Sequence, residues 1–155
     1  MASTITAATM TVTITESINL NGMNQGATNT LSLASIAEVS KRIVNVPASE
    51  VEIVAMSTAV AAGTFVESTV KYIRITNLDD TNHVVLTFKS EGNHEFAVKL
   101  DKGQSFIYNG DIAGGVVDTM DASGSALSLA LEDLVNITAL ADTAACDLEV
   151  FVAST

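Results

Sequence analysis

Tryptophan is absent, cysteine and proline occur once each, and only 16% of residues are charged. The single Cys146 excludes a disulfide framework and a zinc-finger module, which need several cysteines at fixed spacing. A lone Pro47 leaves no Pro-rich linker to divide the chain. With no Trp, two Tyr and five Phe, the surface has little of the aromatic platform on which sugars and nucleobases stack. Lys and Arg are missing from residues 1–40 and again from 103–155. A net charge of −11 repels phosphate backbones and anionic bilayers, so neither nucleic acid nor membrane is an expected partner. No apolar run approaches the roughly 18 residues of a membrane-spanning helix. The opening stretch MASTITAATMTVTI has neither the basic start nor the apolar stretch of a secretory signal, so synthesis in a cytoplasm is the expectation.

What remains is an apolar, weakly charged chain of 155 residues, 48% of them hydrophobic. That suffices to fill one core and argues against disorder. Hydrophobic residues recur at every second position. Met10, Val12, Ile14, Ile18 and Leu20 share one parity and Thr11, Thr13, Thr15, Ser17 and Asn19 the other, which predicts a half-buried strand broken at Asn21-Gly22. Residues 35–46 suit a short helix or a strand equally, since Ile36, Val39, Ile43 and Val46 lie three or four apart while Val44 and Val46 alternate. Val51, Ile53 and Ala55 begin the next strand. Between Val66 and Tyr108, strands separated by Leu78–Asn82, Glu91–Asn93 and Asp101–Gly103 read as an antiparallel meander, because short loops join antiparallel neighbours. Ala113–Gly124 is the longest expected loop. Leu127, Leu129 and Leu131 alternate after it, and Leu148, Val150 and Val152 form a closing strand with Cys146 on their face. Eight to ten strands at this spacing predict an all-β fold, an antiparallel β-sandwich or jelly-roll-like single domain over 10–155 with an N-terminal arm over 1–9.

No residues assemble into catalytic chemistry. His83 and His94 fall at turns and lack the further ligands of a zinc site. Cys146 sits in an apolar strand pattern with no neighbouring base, as an inert thiol does. There is no Gly-x-Ser-x-Gly elbow and no phosphate-binding glycine loop. Asp79, Asp80, Asp118 and Asp121 do not match an EF-hand loop, and Asp in turns usually bonds its own backbone. No enzyme activity, cofactor or metal is therefore expected.

The low charge is informative in itself. A free monomer dresses about 25–35% of its surface with charged residues, so part of this chain's Ala- and Thr-rich surface is expected to be covered by another subunit. Candidate interface residues come from three places. Ala2, Ser3, Thr4, Ile5, Thr6 and Met10 lie in the uncharged arm. Val116, Val117 and Met120 are the apolar members of the long loop. Phe151 has parity opposite to Leu148, Val150 and Val152 and so faces away from their core.

The segment Lys71–Gly110 carries a strand ending Ile75-Thr76-Asn77, a turn Asp79–Asn82, a strand Glu95–Leu100 and an edge Gly103–Asn109. This grammar, with the closing strand Asp147–Val152, resembles small virion structural proteins of tailed bacteriophages. The resemblance covers about 85 residues from Val70 onward, and it consists of strand-and-turn pattern rather than a catalytic signature. It implies a capsid decoration (cement) protein on the virion's capsid surface. Such a protein works as a homotrimer or other homo-oligomer, and its partner is the major capsid protein or another virion protein. A tail, collar or fibre component of such a virus is the alternative. A carbohydrate- or calcium-binding β-sandwich module is the reading from another class.

Overall fold

The computed structural model describes residues 4–109, 116–117 (as backbone strand) and 131–155. No helix occurs among the described residues. The strands are β1 (Ala8–Thr15), β2 (Asn19–Leu20), β3 (Met23–Asn24), β4 (Thr28–Ile36), β5 (Glu38–Val46), β6 (Val51–Ser57), β7 (Phe65–Val66), β8 (Val70–Asn77), β9 (Val84–Ser90), β10 (Glu95–Leu100), β11 (Ser105–Asn109), β12 (Val116–Val117), β13 (Leu131–Glu132), β14 (Leu134–Ala141) and β15 (Cys146–Ser154). Residues 35–46 are strand with one break, so the alternating pattern prevails over the helical spacing. The chain forms two compact units, one running through Glu38 together with Thr155, the other Val39–Ser154.

The larger unit is an all-β sandwich. One sheet has the order β10-β9-β14-β6-β7 and the other β11-β8-β15-β5. Setting aside the two-residue β7, eight strands divide into two sheets of four. Every connection between consecutive strands of the eight passes from one sheet to the other except the β9–β10 hairpin. That is the strand order of a jelly roll, with each sheet's inner face covering the other's. The expected meander is thus corrected: of β8, β9, β10 and β11, only β9 and β10 are neighbours in one sheet. The loops after Asn77 and Leu100 arch between layers, which a short loop can do where two sheets lie about 10 Å apart.

Alternation places Ile73, Ile75, Leu148, Val150 and Val152 of one sheet against Ile53, Leu86, Phe88, Ile137 and Ala139 of the other, all almost fully buried. Phe88 anchors an aromatic cluster, stacked on Phe96 at 4.6 Å and tilted against Phe106 at 4.8 Å between ring centres. At one end of the sandwich, buried Asn77 satisfies all its polar groups. Its Nδ2 donates to the carbonyls of Asn82 (2.9 Å) and Leu100 (3.2 Å), and its Oδ1 accepts from the Asp79 amide (3.0 Å). Its own N–H donates to the Gln104 carbonyl, and its carbonyl accepts from Gly103. Two arches are thereby pinned to one side chain.

The smaller unit is a two-stranded ribbon. In the β1–β4 pairing Met10 faces Leu33, Val12 faces Leu31 and Thr15 faces Thr28. The backbone bonds Glu16 to Ala27 and Gln25 to Ile18 continue the register, and Asn19 facing Asn24 and Leu20 facing Met23 complete it. The register is constant from Met10 to the tip. Asn21 (φ 52°) and Gly22 (φ 81°) make the turn, both left-handed as a type I′ hairpin requires. Gly26 is needed for a different reason, since a Cβ there would stand 2.2 Å from the Glu16 carbonyl oxygen.

Candidate interaction surfaces

Constant register sorts the ribbon's side chains into two faces, because alternate residues of a strand point to opposite sides. One face carries Met10, Val12, Ile14, Ile18 and Leu20 with Leu33, Leu31, Ala27 and Met23; it is interrupted by Asn29 opposite Ile14 and Gln25 opposite Ile18, and its only charge is Glu16. The other carries Thr11, Thr13, Thr15, Thr28, Thr30 and Ser32, with Thr15 and Thr28 hydroxyls 3.3 Å apart. The apolar face is progressively open toward the tip. Met10, Val12 and Leu33 are half-buried, whereas Ile14 is 41%, Leu20 59% and Met23 64% exposed. The half-buried strand expected over 10–20 is corrected here: beyond Val12 its apolar side chains stand in solvent. A two-stranded ribbon has no second layer to cover them.

In the sandwich, the outer face of the β11-β8-β15-β5 sheet carries a second surface. Phase along β15 turns Phe151 outward, opposite Val150 and Val152. There it packs edge-to-face on Tyr72 at 5.9 Å and lies under the Arg74 guanidinium at 5.8 Å. Arg74 also pairs with Glu149 at 2.5 Å, and Lys41 reaches the same carboxylate at 2.9 Å. The Lys41 and Arg74 cations hold the Glu149 carboxyl below its ordinary range. Burial pushes the Tyr72 hydroxyl up. On β5, Val39 and Ile43 are open to solvent beside this ion-paired row.

The outer face of the opposite sheet is polar. Lys89 bridges Glu50 (2.9 Å) and Glu95 (3.5 Å), Thr138 donates to Glu50 and Asn136 to Glu52. Near its edge, Ser90, His94 and Glu132 meet. The Ser90 hydroxyl donates to Glu132 and accepts from the His94 backbone N–H, and His94 Nδ1 lies 2.9 Å from the same carboxylate. The imidazole does not stand between hydroxyl and carboxylate, as a general base activating a serine must. The cluster ties the β9–β10 hairpin to β13. Distant spacing hid it from the sequence reading, since Glu132 lies about forty residues from its partners.

Of the candidate residues, Thr4, Ile5 and Thr6 are exposed, Met10 begins the apolar ribbon face and Phe151 lies on the outer sheet face. Val116 and Val117 pair in register with Glu132 and Leu131. Ala2, Ser3 and Met120 lie outside the described residues, as do Leu127 and Leu129 and most of the Ala113–Gly124 loop. The structure therefore joins Met10 to Ile14, Ile18, Leu20, Met23, Leu31 and Leu33, which are not among the sequence candidates although the parity of the β1 members is readable. His83 lies 3.6 Å from Asp142 and His94 on Glu132. Among the described residues no group of three or more His, Cys, Asp or Glu is placed to hold a metal ion. Cys146 is buried, and burial with the nearby Asp79 carboxylate raises its thiol, the opposite of a reactive cysteine.

No family model and no curated protein matches the sequence. Among solved structures, the chain is similar to one from work titled "Bacillus endospore appendages form a novel family of disulfide-linked pili". That likeness has 10% identity and a TM-score of 0.46, over all of this chain and 96% of that one. A likeness this slight carries no argument about what the present chain does.

Proposed function

We propose that this protein is a non-enzymatic structural subunit that self-assembles, and that it decorates the outer shell of a phage capsid. The observation that carries the reading is the ribbon's uncovered apolar face in a chain of low charge. A contiguous apolar row left open on a two-stranded ribbon supports an association site there. Within the sandwich, polar side chains are spent on each other: Glu149 on Lys41 and Arg74, Glu50 on Lys89, Asn77 on two arches. These groups fix strands and loops, and among the described residues no acid, base and nucleophile converge to work on a substrate. The strand-and-turn resemblance from Val70 onward supports the virion assignment, and the acidic chain suits a surface remote from packaged DNA. The role is mechanical: subunits bury apolar strand faces and add contact area across neighbouring shell proteins.

The test is co-sedimentation of the purified protein with shells assembled from the major capsid protein of a tailed bacteriophage. Saturable binding at a fixed ratio to capsid subunits, with shells more resistant to heat, is expected. A protein that self-associates but leaves shells bare would remove the decoration role.

A further inference from the structure

We infer that the occupant of the ribbon's apolar face is the same face of a second copy. This inference rests on the reading of the chain as a self-assembling subunit and names the surface through which it does so. Three features of the ribbon select that occupant.

The first is charge. Between Met10 and Leu33 the face presents one carboxylate, Glu16, and no cation, so a basic partner would find a single anion and an acidic partner none of the cations it needs. The surface that such a face can bury without stranding polar groups is flat, mainly apolar and nearly uncharged, with side-chain amides to meet Asn29 and Gln25. The face itself meets that description, and a self-complementary patch gives a closed two-fold contact.

The second is layering. Stacking two ribbons by these faces, about 10 Å apart, supplies each with the cover it lacks and makes a four-stranded, two-layer core. The Thr- and Ser-bearing faces then point outward to water on both sides.

The third is area. From the Ile14–Asn29 rung, where the face opens, to the Leu20–Met23 rung, six residue steps of about 3.4 Å make a strip roughly 20 Å long and about 10 Å wide. Two copies then cover on the order of 400 Å², well short of the roughly 1,200 Å² of a stable complex. Paired ribbons therefore join copies reversibly and add strength when many copies are held side by side, through effective concentration. Glu16 tunes the contact, because pairing brings two like charges onto one apolar face.

The experiment uses full-length protein with one added cysteine, Ile14→Cys on the apolar face or Thr13→Cys on the Thr face. The buried Cys146 is left in place and the parent chain serves as control. With a short bis-maleimide able to span the gap between layers, which is wider than a direct disulfide allows, Ile14→Cys is expected to give covalent dimer at least tenfold faster than Thr13→Cys, with unchanged far-UV circular dichroism in both. By light scattering, Glu16→Gln is expected to lower the concentration at which mass rises about fivefold. Equal cross-linking from both faces overturns the inference. So does absence of cross-linking in variants that still form oligomers, which leaves the self-assembling role standing through another surface. Loss of shell binding in Ile14→Asp without any change in the concentration dependence of mass also overturns it, assigning the face to a different protein. A parent chain that stays monomeric at every concentration removes both the inference and the self-assembly it rests on.

Discussion

The ribbon and the sandwich are written in the same code and meet opposite fates. Val12 and Ile14 alternate with threonines just as Ile73 and Ile75 alternate with polar residues, yet Ile73 and Ile75 are fully buried while Ile14 stands in water. The difference is the second layer. In the jelly roll each sheet's apolar rows are closed by the other sheet, and hydrophobic burial accrues on both. In the ribbon the rows, interrupted at Glu16, Asn29 and Gln25, are left open beyond Val12. Parity therefore states which side chains share a face, and only topology states whether that face is closed.

Several substitutions sharpen that contrast. Phe88→Ala, at the centre of the aromatic cluster, is expected to cost about 4 kcal/mol in urea unfolding, as truncation of a buried aromatic does. Leu20→Ala at the ribbon tip is expected to change the same midpoint by less than about 0.5 kcal/mol, because an exposed side chain leaves no cavity. A comparable loss from both would erase the distinction between the units. Asn77→Ala is expected to cost about 2–3 kcal/mol, since the carbonyls of Asn82 and Leu100 and the Asp79 amide lose their partner at once. Unchanged stability in that variant would show that the arches hold without it.

Acid separates the units on different grounds. The described carboxylates held below their ordinary values all lie in the sandwich. They are Glu132 (by Ser90, then His94), Glu149 (by Lys41, then Arg74), Glu50 (by Thr138, then Lys89), Asp79 (by the Asn82 and Thr81 amides) and Asp101 (by Lys99). A depressed folded pKa stabilises the fold above the unfolded value, 4.5 for Glu and 3.8 for Asp, and that stabilisation is lost as pH falls through the folded values. Thermal midpoints are expected to be level near neutrality and to drop once pH passes below about 4.5. A midpoint that rises on acidification would contradict these pairings. The smallest effect is at Glu67, whose carboxyl is raised by burial and by Asp133 and Glu91. Its sign is reversed, so its contribution is lost as pH rises, and Glu67→Gln is expected to raise the neutral melting temperature by a degree or two. A lower melting temperature would assign that carboxylate a favourable partner.

Much of this was legible in the residues. The strand phases, the Asn21-Gly22 turn and the outward direction of Phe151 follow from period two and from the backbone freedom of Asn and Gly. Layer assignment did not follow. A four-residue connection such as Asp101–Gln104 serves a hairpin or an arch equally, and what selects the arch is Asn77, bonded to Leu100 and Gln104 from a distant strand. Residues 35–46 were ambiguous because β-branched residues at three- and four-residue spacing fit either element. The candidate surface was half-readable. Met10 was marked, but its continuation across Leu31 and Leu33 depends on a cross-strand register that no single strand reveals.

The most direct test of the contrast is amide hydrogen exchange of the parent protein across a range of concentrations. Amides of β8 and β9 serve as an internal reference at the stability of the sandwich. The account predicts that protection over residues 10–14 and 29–33 is low in dilute protein and rises with concentration, while the reference amides do not change. High, concentration-independent protection of the ribbon would mean that a single chain already closes its apolar face, and the central claim would fail.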